Sequence, residues 1–215
     1  EIQCNGASDA TIVYVGDGES FIYEDVEPSS TYNFKIWAKL EGGSYTPARV
    51  VSTTTYCSEA TSLPYEQIFT ADVPSCWILT NRAGSANNTW LFGSSSTISM
   101  SGITGGYAYI NSYEYGTFAN QNADLISPVF DLSEYAEVDV SFVHRYRHKN
   151  ESKGTFAYSL DYGLTWQPIQ IWEAHSLNPE TFEVDVTDYV ALQPNVMFAF
   201  NYVGSDGWYW AVKQF

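Results

Sequence analysis

The chain has 215 residues and a formal charge of −16, from 25 Asp or Glu against 9 Lys or Arg, with 17% aromatic and only 16% charged side chains. Such acidity repels phosphate backbones and anionic headgroups over a Debye length of about 8 Å, which argues against nucleic-acid partners and electrostatic membrane docking. No apolar run approaches the roughly 20 residues of a membrane span, so direct membrane insertion is not expected, and 17 Tyr, 12 Phe and 7 Trp describe strands rather than helices.

The first 55 residues read as short strands with turn punctuation: ATIVYV (10–15), the turn GDGES, SFIYEDV (20–26), TYNFKIWAKL (31–40), GG, and TPARVVSTTT (46–55). Tyr32, Phe34 and Ile36 alternate with Lys35 and Lys39, the pattern of a sheet with one covered face. VEPSSTY (26–32) resembles the tyrosine-corner region of fibronectin type III domains, in which a Tyr hydroxyl returns to the backbone at a strand corner. The resemblance covers only the back half of such a domain. Either the chain begins inside a domain of a longer polypeptide, which is the favoured expectation, or this is a small degenerate sheet that leans on its neighbour.

Residues 56–62 (YCSEATS) are small and polar and read as a linker. They separate a partial fibronectin type III-like sandwich at 1–56 from a second domain at 57–215. Its candidate strands are EQIFTA, CWILTN, TWLFGSS, STISMSG, GYAYINS, ADLISPVFDL, EVDVSFVHRYRH, GTFAYSL, TWQPIQIW, ETFEVDVTDYV and NVMFAFNYVG, with Gly, Asn, Ser and Pro turns between them. With no helical period of useful length, the predicted fold is all-β: an antiparallel jelly-roll β-sandwich.

LPYEQIF (63–69), VPSCW (73–77), ADLISPVFDLS (123–133), EVDVSFVHRY (137–146), SLDYGLTW (159–166) and GWYWAV (207–212) occur in that order across nearly all of 60–215. As a set they resemble the jelly-roll domains of secreted Bacteroidota proteins, the cleaved-adhesin group similar to eukaryotic MAM domains. The resemblance implies an adhesive or accessory module of a surface protein or exported enzyme, often beside fibronectin type III units. The chain departs from it at Lys213-Gln214-Phe215, where such families carry acidic residues. A terminal cation site is therefore not carried over, and the abrupt stop implies a last strand cut short.

Three cysteines form neither a CxxC metal pair nor a redox pair. Cys57 and Cys76 flank a candidate first strand, and a bridge between them would stabilise by roughly 3 kcal/mol; the alternative is two separately buried thiols. Cys4 is left over, its partner expected in sequence outside this chain.

SLDYGLTW matches the Asp-box pattern found in sialidase propellers and many other β proteins. Asp161 can accept turn N–H groups, Gly163 can supply a positive φ, and Trp166 can pack beneath the hairpin, a structural role. A sialidase needs several such blades and converging arginines, and only Arg49, Arg82, Arg145 and Arg147 are present. His144, Tyr146 and His148 alternate on one strand face, with Arg145 and Arg147 on the other. Residues i and i+4 on a strand lie roughly 13 Å apart, beyond a shared metal. They read as polar residues lining a sheet face or its rim, or as a contact strip in which Tyr146 stacks on a sugar or aromatic ring. His175 follows Trp172 and Glu173 in a loop.

GxSxG and HExxH are absent and no carboxylate pair stands out, so no catalysis is expected. Calcium is the candidate cofactor, in a structural role, with Glu66, Asp72 and Asp124 as its acids; the alternative is solvated surface acids. Exposed rings would carry contact with a glycan or protein, and Tyr107, Tyr109, Tyr113, Tyr146, Trp172 and Trp208 are the candidates. The expectation is a non-catalytic adhesion or ligand-binding module, secreted or at the cell surface, within a larger parent polypeptide, holding a glycan or a host or surface protein. The other readings are an accessory domain of an exported protease or glycosidase, and a structural spacer or filament subunit.

Overall fold

The structure, a computed structural model, describes residues 2–5, 11–17, 20–23, 26–27, 30–55, 57, 63–83, 88–116 and 119–215. It divides into two compact units, Glu1–Ser58 and Glu59–Phe215.

In the first unit, β1 (Ile2–Asn5), β2 (Thr11–Tyr14), β3 (Thr31–Ile36) and β4 (Arg49–Thr54) form one antiparallel sheet in the order β2-β1-β3-β4. Tyr32 is the buried residue of β3, and Tyr23 packs edge-on against both Tyr32 and Phe34. The Tyr32 hydroxyl accepts the Glu27 N–H at 2.7 Å, so the ring does turn back onto the chain just ahead of its strand. Thr55 closes the same corner, donating its hydroxyl to the Glu27 carbonyl and accepting the Ser30 N–H. SFIYEDV, expected as a strand, is not one over its described residues; Phe21 stacks on Tyr14 instead.

The second unit holds β5 (Ile78–Asn81), β6 (Leu91–Gly93), β7 (Tyr107–Asn111), the single helical turn α1 (Ser112–Tyr115), β8 (Gln121–Ile126), β9 (Asp139–Arg147), β10 (Lys153–Ser159), β11 (Gln167–Trp172), β12 (Glu180–Asp185), the turn α2 (Thr187–Val190), β13 (Met197–Gly204) and β14 (Tyr209–Gln214). They make two five-stranded antiparallel sheets, β11-β10-β13-β8-β5 and β12-β9-β14-β7-β6. The antiparallel β-sandwich predicted from the strand pattern is what forms.

Alternation along each strand decides which side is filled. In β9, Val140, Phe142, His144 and Tyr146 are buried while Ser141, Val143, Arg145 and Arg147 are not. Phe198, Phe200 and Tyr202 of β13 join them in a core between the sheets. Rings fill it: Trp210 lies 5.8 Å from Trp90, 5.4 Å from Trp172 and 5.5 Å from Phe200, centroid to centroid. Burying each such ring contributes about 2–3 kcal/mol, and favourable ring pairs roughly 1 kcal/mol more.

The outer sides are partly covered as well. Tyr107, Tyr109, Tyr209 and Ala211 are roofed by Ile98 and Met100, with Ile103 against them. STISMSG is therefore no strand: its alternation of Ile98 and Met100 reflects packing onto a sheet rather than pairing within one. EQIFTA is not a named strand, but it runs antiparallel beside the end of β14 through the Ile68 to Gln214 bridge, with Gln67 and Phe215 exchanging backbone hydrogen bonds and the Phe69 N–H donating to the Lys213 carbonyl.

Candidate binding platform

Of the six rings predicted to meet a ligand, four are buried. Tyr107 and Tyr109 are only 6% and 8% exposed under the Ile98 and Met100 roof, and Tyr107 exchanges hydrogen bonds with the Ser95 backbone. Tyr146 and Trp172 belong to the inter-sheet core, the Tyr146 hydroxyl paired with Ser152 Oγ at 3.0 Å. These four corrections share one cause: the strand face that presents each ring is covered by another layer. Tyr113 and Trp208, far apart in sequence, are brought together, with ring centroids 5.2 Å apart and planes 20° from parallel. Tyr113 is 51% exposed and Trp208 half-buried.

Both rings stand on pinned loops. Tyr113 rides on α1, which Tyr115 anchors by donating its hydroxyl to the Thr89 carbonyl at 2.7 Å; burial pushes that phenol up to about 12. Glu114 of the same turn accepts hydrogen bonds from the Ser95 and Thr97 hydroxyls. Trp208 ends the turn between β13 and β14. There Asp206 sits at φ 51°, and the Gly207 N–H donates to Ser112 Oγ at 3.0 Å. A Cβ at Gly207 would strike the Tyr202 hydroxyl and Ser152, so glycine is what lets the turn lie down on the core. Lys149 and Asn150 then hold Asp206, the ammonium 3.0 Å from its carboxylate.

Arg147, the last residue of β9, completes the stack, its guanidinium carbon 3.8 Å from the Trp208 ring centroid; Lys149 Nζ is 5.9 Å from it. Four of the chain's nine Lys and Arg residues (Arg145, Arg147, Lys149 and Lys153) fall within nine positions. Three are engaged: Arg145 with the Ser99 carbonyl, Lys149 with Asp206, and Lys153 with Glu173 at 2.7 Å. Among the described residues, none accepts a hydrogen bond from Arg147. The charge of Arg145 and Arg147 was legible in sequence, but their face was not connected to Trp208, because the turn that returns Trp208 to β9 is visible only in three dimensions.

The acids proposed for calcium are not gathered. Glu66 accepts from Gln214 Nε2 at 2.8 Å, and Asp72 is exposed in a bend. Asp124 is buried with both carboxylate oxygens taken: Arg82 donates to Oδ2 at 2.8 Å and to Oδ1 at 3.1 Å, Thr80 adds a hydroxyl, and Asn201 Nδ2 donates at 2.7 Å. Among the described residues no three His, Cys, Asp or Glu side chains are placed to share an ion. Cys57 and Cys76 are both disulfide-bonded, whereas the side chain of Cys4 lies outside the described residues.

The Asp box forms the β10–β11 turn. Asp161 accepts the Thr165 N–H at 2.9 Å and its hydroxyl at 2.6 Å, Ser159 Oγ receives the Gly163 N–H, and Trp166 packs on the outer cluster of Ile126 and Met197. The histidines do not converge. His144 is in the core, held down to about 3 by burial, whereas the His148 N–H donates to His175 Nδ1 at 3.1 Å.

A cavity of about 660 Å³ opens between Leu63, Tyr65, Phe130 and the start of β9. The β9–β14 register ends at the Val143 to Gln214 pair, so residues 139–142 of β9 border this gap. Its lining is mainly apolar. Among the described residues lining it, Ser141 is the one serine and none is a histidine.

No family model matches the sequence, and no curated protein matches it. Solved structures do. The K1 cleaved adhesin domain of Lys-gingipain from Porphyromonas gingivalis W83 shares 16% identity over 70% of this chain and 94% of that one, with a TM-score of 0.50. The K3 cleaved adhesin domain of the same protein gives 13% identity, coverage of 70% and 95%, and a TM-score of 0.48. TmCBM61, solved in complex with β-1,4-galactotriose, gives 12% identity, coverage of 66% and 88%, and a TM-score of 0.44. The likeness to the K1 domain is one of fold: an antiparallel β-sandwich at low identity. Nothing rests on the other two.

Proposed function

We propose that this chain is a non-catalytic, extracellular adhesion or ligand-binding module that holds a glycan or protein on the ring pair Tyr113 and Trp208. The observation that carries the reading is that pair: two stacked, partly exposed aromatic rings on loops fixed by backbone and side-chain hydrogen bonds. Rings held rigid before binding lose little conformational entropy when a ligand arrives. Their faces suit the C–H surface of a sugar or the apolar anchor of a protein. The K1 domain, whose fold the chain shares, is described as a cleaved adhesin domain, and an adhesive role is carried over from it as part of this proposal.

Export is proposed with it, because the disulfide-bonded Cys57 and Cys76 belong in an oxidising compartment. Among the described residues no helix is long and apolar enough to cross a membrane. Membership of a larger polypeptide, with a fibronectin type III-like unit before the sandwich, is part of the same reading.

The test is binding of the full chain to glycan and protein arrays beside the Tyr113→Ala, Trp208→Ala double variant. The reading expects a ligand on one array, lost at least tenfold in the variant. A ligand held equally well by both proteins moves the site elsewhere. No ligand on either array, with self-assembly in solution, favours a structural subunit.

A further inference from the structure

The same stack carries information about what kind of ligand it takes. A guanidinium lying flat on an indole has spent its face, and its five N–H groups point outward in its own plane. The guanidinium carbon of Arg147 lies over the Trp208 ring, 3.8 Å from its centre. Its neighbours Lys149 and Lys153 are neutralised by Asp206 and Glu173 at 3.0 and 2.7 Å. Arg147 has no such carboxylate among the described residues. On a chain of charge −16 this is an uncommitted cation on the same indole that the exposed ring of Tyr113 stacks against.

We propose that the platform selects an acidic oligosaccharide, one ring of which lies against Tyr113 while a carboxylate elsewhere along it is held by the N–H edge of Arg147. The planar fork of arginine matches a carboxylate with two parallel hydrogen bonds, which gives direction as well as charge. The overall acidity of the chain does not oppose this at contact, because charges beyond about 8 Å are largely screened at physiological salt. It does set a condition: an acidic polymer is held only where a cation without a carboxylate partner, such as Arg147, stands beside a contact surface. Tyr113 supplies what a merely acidic peptide would not use, an open ring face for C–H contact. The inference rests on the binding reading above and adds the ligand class to it.

The experiment is calorimetric titration of the full chain with three probes at matched length: a neutral galacto-oligosaccharide, the corresponding oligogalacturonate, and oligoglutamate. A sulfated galacto-oligosaccharide forms a fourth arm that separates carboxylate from sulfate as the source of the charge. The expected result is oligogalacturonate binding at least tenfold tighter than its neutral counterpart, with Arg147→Gln bringing the two to parity and Arg147→Lys restoring only part of the gap. Tyr113→Ala is expected to weaken both sugars. Melting temperature checks that each variant is folded, which the exposure of Tyr113 and the half-buried position of Arg147, without a carboxylate partner among the described residues, favour. Equal affinity for neutral and acidic sugars in the wild type overturns the acidic class and leaves the sugar-binding platform standing. Oligoglutamate matching oligogalacturonate, or the sulfated probe surpassing it, also overturns the class, in favour of charge alone or of sulfate. Binding of none of the probes overturns it and withdraws the sugar from the binding reading too, leaving only protein as the ligand there.

Discussion

Trp210 donates its indole N–H to Nδ1 of His144 at 3.0 Å in the middle of the sandwich, where both residues are fully buried. An indole only donates, so Nδ1 must accept and the imidazole proton sits on Nε2, which faces Glu180 Oε2 at 3.5 Å. A second proton would have to go on Nδ1, against the Trp210 N–H and out of reach of water. Burial accordingly pushes His144 down to about 3, and the contact with Glu180 is one between a neutral ring and a carboxylate rather than an ion pair.

This arrangement makes stability depend on pH. His144 stays neutral in the folded chain down to about 3, whereas an unfolded histidine takes up a proton near 6.5. The unfolded state binds more protons between those values. The contribution of His144 is therefore complete above about 6.5 and drains away as pH falls towards 3, by up to about 1.4 kcal/mol per pH unit. Urea denaturation at pH 7.5, 6, 5 and 4 should show this slope. His144→Phe should flatten it while costing about 1–3 kcal/mol at pH 7 for the stranded Trp210 N–H. An unchanged slope in the variant would place the titration elsewhere.

The sandwich was legible in sequence because its strands alternate, as Val140, Phe142, His144 and Tyr146 do. Alternation gives period and says nothing about which side another layer will cover. Hence Tyr107 and Tyr109 looked available, and STISMSG looked like a strand, when each is half of one contact between a sheet and its roof. The Asp box was readable residue by residue since its hydrogen bonds close within seven positions. Asp124 was not: its partners Thr80, Arg82 and Asn201 lie up to 77 residues away and are delivered by strand register alone.

The Asp124 cluster can be taken apart by a double-mutant cycle. Arg82→Ala leaves a carboxylate that is 1% exposed with only Thr80 and Asn201 for company, and a loss of about 2–4 kcal/mol is expected. Because the same charge is the source of the penalty, adding Asp124→Asn should recover part of that loss rather than deepen it. With both oxygens of Asp124 already held by Arg82, millimolar calcium should leave the wild-type melting temperature where it was; a rise of several degrees would reinstate the acid as a metal ligand.

Replacement of single rings separates scaffold from platform. Tyr109→Ala removes a ring only 8% exposed and should cost about 3–5 kcal/mol. Tyr146→Phe keeps the ring and deletes only the hydroxyl paired with Ser152, for about 1 kcal/mol. Tyr113→Ala, on a ring 51% exposed, should stay within roughly 1 kcal/mol of wild type in the same denaturation series. A loss at Tyr113 as large as that at Tyr109 would mark it as a packing residue and undermine the platform.

The turn made by Asp161 offers a local readout. Its carboxylate gathers the Thr165 hydroxyl and N–H and the Ser159 hydroxyl, which hold it down to about 2. Tyr162 and Gly163 can then adopt φ of 56° and 80° with the hairpin still closed. Asp161 is depressed relative to an unfolded aspartate, so its contribution is present above about 4 and is lost as pH falls through about 2. Asp161→Ala should speed hydrogen exchange at the Thr165 amide and fray the β10–β11 end. Amides in the middle of β13, paired on both sides with β10 and β8, should keep their protection. If exchange rises equally across β13, the Asp box supports the whole sheet rather than one hairpin. If Thr165 is unaffected, Ser159 closes the turn unaided through the Gly163 N–H.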